Sequence, residues 1–183
     1  NPQINPNFVS ADSSCWASTA IPLSVTAAKD TNLCVGLCTT LNSTPANGTS
    51  SAYSFSWTSV PAGFTSSVQS PGSVCPTTTT KYIVTLTDGT TTSKDSIIVT
   101  VNPSPSVTAA PTHTSCGKTD GSATATPSGG TSPFTYSWTA PGGTTSSISN
   151  LAGGTYTVTI IDSKGCTKTA TTIINNSAGP ILT

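Results

Sequence analysis

The chain has 183 residues, 34% of them hydrophobic and only 7% charged, with six lysines, six aspartates, no arginine and no glutamate, so the formal net charge is zero. That balance excludes the basic footprint of a nucleic-acid binder and gives no electrostatic hold on an anionic membrane. It does not describe a disordered chain either, because such chains combine low hydrophobicity with high net charge.

Residues 1–20 form an N-terminal extended segment with Pro2, Pro6, an apolar Phe8-Val9 pair, Cys15 and Trp16. The chain opens at Asn1 without a methionine and contains no long apolar run. It therefore reads as a mature or excised portion of something longer, with no direct membrane insertion. From residue 21 onward Thr, Val, Ile and Tyr dominate, which suits half-buried pleated strands. Methionine is absent and long helix formers are few, so an all-β fold is expected.

The sequence repeats itself. Ser24-Val25-Thr26-Ala27-Ala28 recurs as Ser106-Val107-Thr108-Ala109-Ala110, each followed at the same distance by a cysteine, Cys34 or Cys116. Tyr53–Trp57 answers to Phe134–Trp138, and Lys81–Asp88 to Thr155–Asp162. Three landmarks in one order predict two copies of one fold, at 21–102 and 103–176. The proline-interrupted stretch Val101-Asn102-Pro103-Ser104-Pro105 is the linker between them, since its prolines cannot donate ladder hydrogen bonds.

Strand alternation within each copy is regular. Tyr82, Val84 and Leu86 face one way, as do Tyr156, Val158 and Ile160, and Ile97, Val99 and Val101 form the inward set of the last strand of the first copy. Asp88-Gly89 and Asp162-Ser163-Lys164-Gly165 are hairpin turns, because Asp and Gly supply the conformations such turns need. About seven short strands per copy predict two tandem immunoglobulin-like β-sandwich domains, with Trp57 and Trp138 in their cores.

Four motifs of the second copy go further. Cys116-Gly117-Lys118-Thr119-Asp120-Gly121-Ser122, Gly129–Trp138, Ile148–Val158 and Asp162-Ser163-Lys164-Gly165-Cys166 together resemble the SprB repeat over residues 105 to about 176. The first copy, through Cys34-Val35-Gly36, Tyr53–Trp57 and Val74–Tyr82, is similar to the PKD-like or Ig-like modules of the same class of secreted proteins. It departs from the usual pattern in lacking a cysteine shortly after Asp88, so Cys34 must find another partner. The resemblance implies an extracellular, cell-surface protein of the kind found in gliding-bacterium adhesins and other type IX secreted proteins. It brings no catalytic residues.

Six cysteines in small Thr-rich domains suggest an oxidising compartment. Cys116 and Cys166 are the only cysteines of the second copy and are expected to pair. In the first copy, Cys38 lies on the face opposite Leu37, Thr39 and Leu41, while Cys75 follows inward Val74, so both point outward. Cys38–Cys75 is therefore expected, which leaves Cys15–Cys34, although four cysteines allow three connectivities. Cys34 and Cys38 have metal-like spacing, but no second close pair completes a zinc site.

Catalytic chemistry finds little support. His113, the sole histidine, lies in a Pro-Thr-His-Thr stretch typical of an exposed connection, whereas nucleophilic catalysis needs a base and an orienting acid beside the nucleophile. No cofactor is expected. Asp12, Asp120 and Asp162 are the candidate oxygen ligands for Ca²⁺, without the closely spaced carboxylates of a strong site. Asp95-Ser96-Ile97 resembles a short bacterial O-glycosylation signal centred on Ser96.

The function expected is a structural or adhesive module of a surface protein, a spacer or fibre-forming repeat whose partners are other copies or repeats of the same protein. The alternative is a module that binds carbohydrate, such as a surface polysaccharide, or another surface, with Trp16 and Phe64 as stacking aromatics; a third reading is an accessory domain of an exported hydrolase. Residues 177–183 are a linker or the start of a further repeat, since Gly179–Thr183 resembles Ser104–Thr108. An end segment of this kind could add a strand to a neighbouring subunit.

Overall fold

The structure is a computed structural model that describes residues 21–48, 52–139 and 142–177. Among the described residues every regular element is a β-strand. In the first half these are β1 (Ser24–Ala27), β2 (Thr31–Cys34), β3 (Thr39–Leu41), β4 (Ser43–Ala46), β5 (Ser54–Val60), β6 (Thr65–Ser66), β7 (Gly72–Val74), β8 (Thr80–Thr87) and β9 (Thr92–Asn102). The second half carries β10 (Pro105–Thr112), β11 (Gly121–Gly129), β12 (Thr135–Trp138), β13 (Ser147–Leu151), β14 (Gly154–Ile161) and β15 (Thr167–Ile174).

Each half forms a sandwich with its own core. In the first, a five-stranded sheet of order β2-β9-β8-β5-β6 lies against the ladders β1-β4 and β3-β7. Alternation along β8 turns Tyr82, Val84 and Leu86 inward, where they meet Trp57, Leu41, Ile97 and Val99. In the second, β10-β11-β13 faces β12-β14-β15 around Trp138, Ile148, Leu151, Val158, Ile160 and Ile174. Burying each such aliphatic side chain stabilises a sandwich by about 1.5–3 kcal/mol, which is why the period-two pattern determines the register. The two cores share no residue. The chain is all-β, with two tandem immunoglobulin-like sandwiches.

The turns use their aspartates as acceptors. Asp88 Oδ1 receives the backbone N–H groups of Thr90 and Thr91 at 3.0 and 2.8 Å, closing the β8–β9 hairpin. Two inward expectations need correction. Leu37 is 55% exposed, because β2 ends at Cys34 and the chain turns at Gly36 (φ 90°), where the N–H of Leu37 donates to the Cys34 carbonyl. Val101 is half-buried rather than part of the core.

Candidate functional site at the junction of the sandwiches

Strand β9 ends at Asn102 and β10 begins at Pro105, so only Pro103 and Ser104 lie between the two sheets. Strand β2 runs parallel to the end of β9 and sets Cys34 opposite Asn102. The N–H of Val35 then donates to the Asn102 carbonyl at 2.9 Å. This parallel pairing fixes Cys34 at the lip of the first sandwich, beside the linker.

The facing lip is the β14–β15 hairpin. Asp162 organises it: Oδ1 accepts from the N–H groups of Lys164 and Cys166, and Oδ2 from the N–H of Thr131, all at 2.9 Å. The Asp162 N–H donates in turn to the Cys166 carbonyl at 3.0 Å. Burial raises the Asp162 pKa, but the N–H donors of Cys166, Thr131 and Lys164, with the Lys164 charge, outweigh it and leave the pKa below the usual carboxylate value. At Gly130 (φ 63°) an added Cβ would fall 2.9 Å from Pro105 Cβ and 3.0 Å from Asp162 Oδ2. The hairpin therefore presses closely on the start of β10.

Across this junction Cys34 and Cys166 form a disulfide, with 5.6 Å between Cα atoms, and Cys166 is fully buried. This corrects two expected pairings, Cys116–Cys166 and Cys15–Cys34. Cys116 follows β10, whereas Cys166 precedes β15. The parallel bridge between Thr114 and Asn176 puts the Cys116 turn at the far end of β15. Eight strand residues separate the two sites, roughly 25 Å at 3.3 Å per residue, whereas a disulfide tolerates no more than about 7 Å between Cα atoms. Cys116 is an exposed free thiol, and Cys15 lies outside the described residues.

The other bridge joins Cys38 to Cys75, with 4.1 Å between Cα atoms. It continues the β3–β7 ladder by one step beyond the Thr39–Val74 pair. Both sulfurs are on the outward face that the strand alternation assigns to them.

Ser96 sits half-buried on β9 opposite Ile83, and Asp95 beside it accepts the N–H groups of Ala27 and Ser96, both at 2.8 Å. Phe64 packs edge-on against Tyr82, with ring centroids 5.3 Å apart and planes at 85°, and rests against the first core. It lines a shallow cleft of about 340 Å³ with Pro61, Pro76, Thr77 and Thr78, and is itself half-buried. Trp16 and Asp12 lie outside the described residues. Asp120 closes the Thr114–Asp120 loop, accepting from the Ser115 N–H at 2.7 Å and the Ser115 hydroxyl at 2.8 Å. His113 is exposed, and its Nδ1 accepts the N–H of Asn175 at 3.1 Å.

Two consecutive Ig-like sandwiches clasped at their junction define a tandem Ig-like protein. Its second sandwich carries an SprB repeat: the SprB repeat family model matches residues 108–143, a shorter span than the sequence motifs cover. Among solved structures the chain is similar to the I-band fragment I67-I69 of titin, at 12% identity and a TM-score of 0.50, covering 86% of this chain and 66% of that one. It is also similar to the N-terminal four Ig domains of Dscam1 isoform 7.44, at 12% identity and a TM-score of 0.35, covering 81% of this chain and 44% of that one. At 12% identity the likeness to the titin fragment is one of fold, and the chain spans less than half the length of the Dscam1 chain. No curated protein sequence matches the chain. An SprB repeat, an Ig-like sandwich and two disulfides together make a structural module of extracellular type, and such domains are typically non-catalytic. No helix among the described residues is long and apolar enough to cross a membrane.

Proposed function

We propose that the chain is a rigid, non-catalytic spacer of a cell-surface protein, a segment of an adhesin stalk or fibre whose neighbours are further repeats of the same kind. The observation that carries this reading is the Cys34–Cys166 bond, which adds a second covalent crossing to the two-residue linker. A hinge with one crossing swings; with two it keeps a fixed tilt and twist. Sandwich domains within one chain otherwise move relative to one another unless their interface is large and apolar. The engaged carboxylates of Asp88, Asp95, Asp120 and Asp162 support the same reading, since they serve turns and strand clamps.

Immunogold electron microscopy of the source cells, with an antibody against this chain, tests the proposal. Gold along thin surface threads at regular spacing is the expected result. Gold confined to the cell interior, or polysaccharide cleavage by the purified chain, would overturn it.

A further inference from the structure

The two sandwiches end in the same turn. In the first, the Leu37 N–H donates to the Cys34 carbonyl at 3.0 Å around Gly36 (φ 90°); in the second, the Lys118 N–H donates to the Ser115 carbonyl at 3.0 Å around Gly117 (φ 71°). Each turn follows a segment paired in parallel with the end of the last strand, Leu33 with Val101 and Thr114 with Asn176. Both turns therefore lie where the chain leaves its sandwich. Each contains a cysteine: Cys34 at the first position, and Cys116 one residue further on.

Cys34 crosses to the hairpin of the sandwich that follows. The hairpins differ in the complementary way. Asp162-Ser163-Lys164-Gly165-Cys166 supplies a cysteine, while Asp88-Gly89-Thr90-Thr91 is one residue shorter and has none. The bridge thus has a direction, from the exit turn of one module to the hairpin of the next. Sequence spacing repeats as well: Pro105 stands three residues after Asn102, and Pro180 three residues after Ser177.

We infer that Cys116 is one half of a second inter-module disulfide, whose other half is the hairpin cysteine of a further SprB-type module lying beyond Ser177. This rests on the spacer reading above and extends it from one clasp to a series. The partner it takes is an Asp-x-x-Gly-Cys hairpin docked beside the exit turn. A second copy of this chain does not supply one, because its Cys166 is already bound to its own Cys34. Bond formation removes two protons and two electrons from the two thiols. A disulfide oxidant, such as oxidised glutathione, accepts them and leaves as two thiols.

The test extends the full chain. Residues 1–180 are followed by a copy of residues 106–177 whose own turn cysteine is changed to serine, and the protein is folded in a glutathione redox buffer. Peptide mapping without reduction is expected to show Cys116 joined to the added hairpin cysteine alongside the Cys34–Cys166 peptide. Cys116→Ser should remove that first peptide completely and leave the added cysteine open to iodoacetamide. If Cys34–Cys166 is present while Cys116 and the added cysteine are both alkylated, the inference is overturned and the spacer reading stands. A Cys15–Cys116 peptide overturns it equally, and loss of Cys34–Cys166 itself overturns both. Alkylation of the protein in its native surface material gives a check independent of the added module's folding: Cys116 is expected to stay unlabelled, and labelling there would sink the inference.

Discussion

The carboxylate of Asp95 accepts a hydrogen bond from the backbone N–H of Ala27 at 2.8 Å, so a side chain on β9 satisfies the backbone of β1 in the opposite sheet. Two residues away Ser93 does the same for Val25 through its hydroxyl at 3.2 Å. Polar side chains thus stitch β1 to β9 where no backbone ladder joins them. Asp95→Ala should leave the Ala27 N–H without a partner and cost the first sandwich about 1–3 kcal/mol. Urea unfolding followed by circular dichroism measures this. An unchanged first transition would show that water replaces the carboxylate at no cost.

The Cys34–Cys166 bridge should make both sandwiches tumble as one body. Residual dipolar couplings from the oxidised protein are expected to fit a single alignment tensor. For Cys34→Ala/Cys166→Ala, two tensors of different size should be needed, with the chemical shifts of each core unchanged. One shared tensor in the variant would mean that the linker alone holds the angle.

The Cys38–Cys75 bridge closes a loop of 37 residues inside the first sandwich. Loop-closure entropy assigns such a cross-link about 4 kcal/mol. Cys38→Ala/Cys75→Ala should lower the first unfolding transition by an amount of that order and leave the second where it was. A shift of both transitions would show that the sandwiches unfold together.

The two core tryptophans differ in their indole nitrogens. Trp138 Nε1 donates to the Thr145 carbonyl at 3.0 Å, whereas Trp57 Nε1 is buried with no partner among the described residues. Trp138→Phe loses a hydrogen bond, while Trp57→Phe removes an unsatisfied donor. The first substitution should therefore cost about 1 kcal/mol more than the second, beyond the similar volume each removes. Equal losses, measured by differential scanning calorimetry, would point to a partner for Trp57 in solution.

The Asp120 loop should be sensitive to acid in a defined window. The Ser115 N–H, with the Thr114 and Ser115 hydroxyls, lowers the Asp120 pKa from 3.8 to about 2. Because the folded value is the lower one, the stabilisation is complete above about pH 4 and vanishes as pH falls through about 2. A carboxyl-carbon NMR titration should show its midpoint near 2, with the Ser115 amide proton following. A midpoint near 4 would mean that the loop is open in solution.

Much of this was legible in the sequence because burial with period two leaves a direct trace. Tyr82, Val84 and Leu86 alternate with Lys81, Ile83, Thr85 and Thr87, and the structure buries the first three. The outward faces of Cys38 and Cys75 could be read from the same alternation. The partner of Cys166 could not be read that way, because it depends on which ends of two sandwiches meet. One signal was present: β10 and β15 are each eight residues long, and that length separates a cysteine after β10 from one before β15. The lack of a cysteine after Asp88 pointed the same way, since it left Cys34 without a partner in its own sandwich. Leu37 was misjudged because a glycine turn interrupts the alternation before it reaches β3.

The 132-residue span between Cys34 and Cys166 makes most of the protein a closed ring. Tension applied before Cys34 and after Cys166 passes from sulfur to sulfur and bypasses β3 through β14. Pulling can draw out only the flanking segments, whatever the mechanical strength of the two cores. A single proteolytic cut anywhere between residues 35 and 165 likewise leaves the two ends joined. A thread of such rings would keep its continuity through a nick or a pull within each ring, and would lose that protection where its disulfides are reduced.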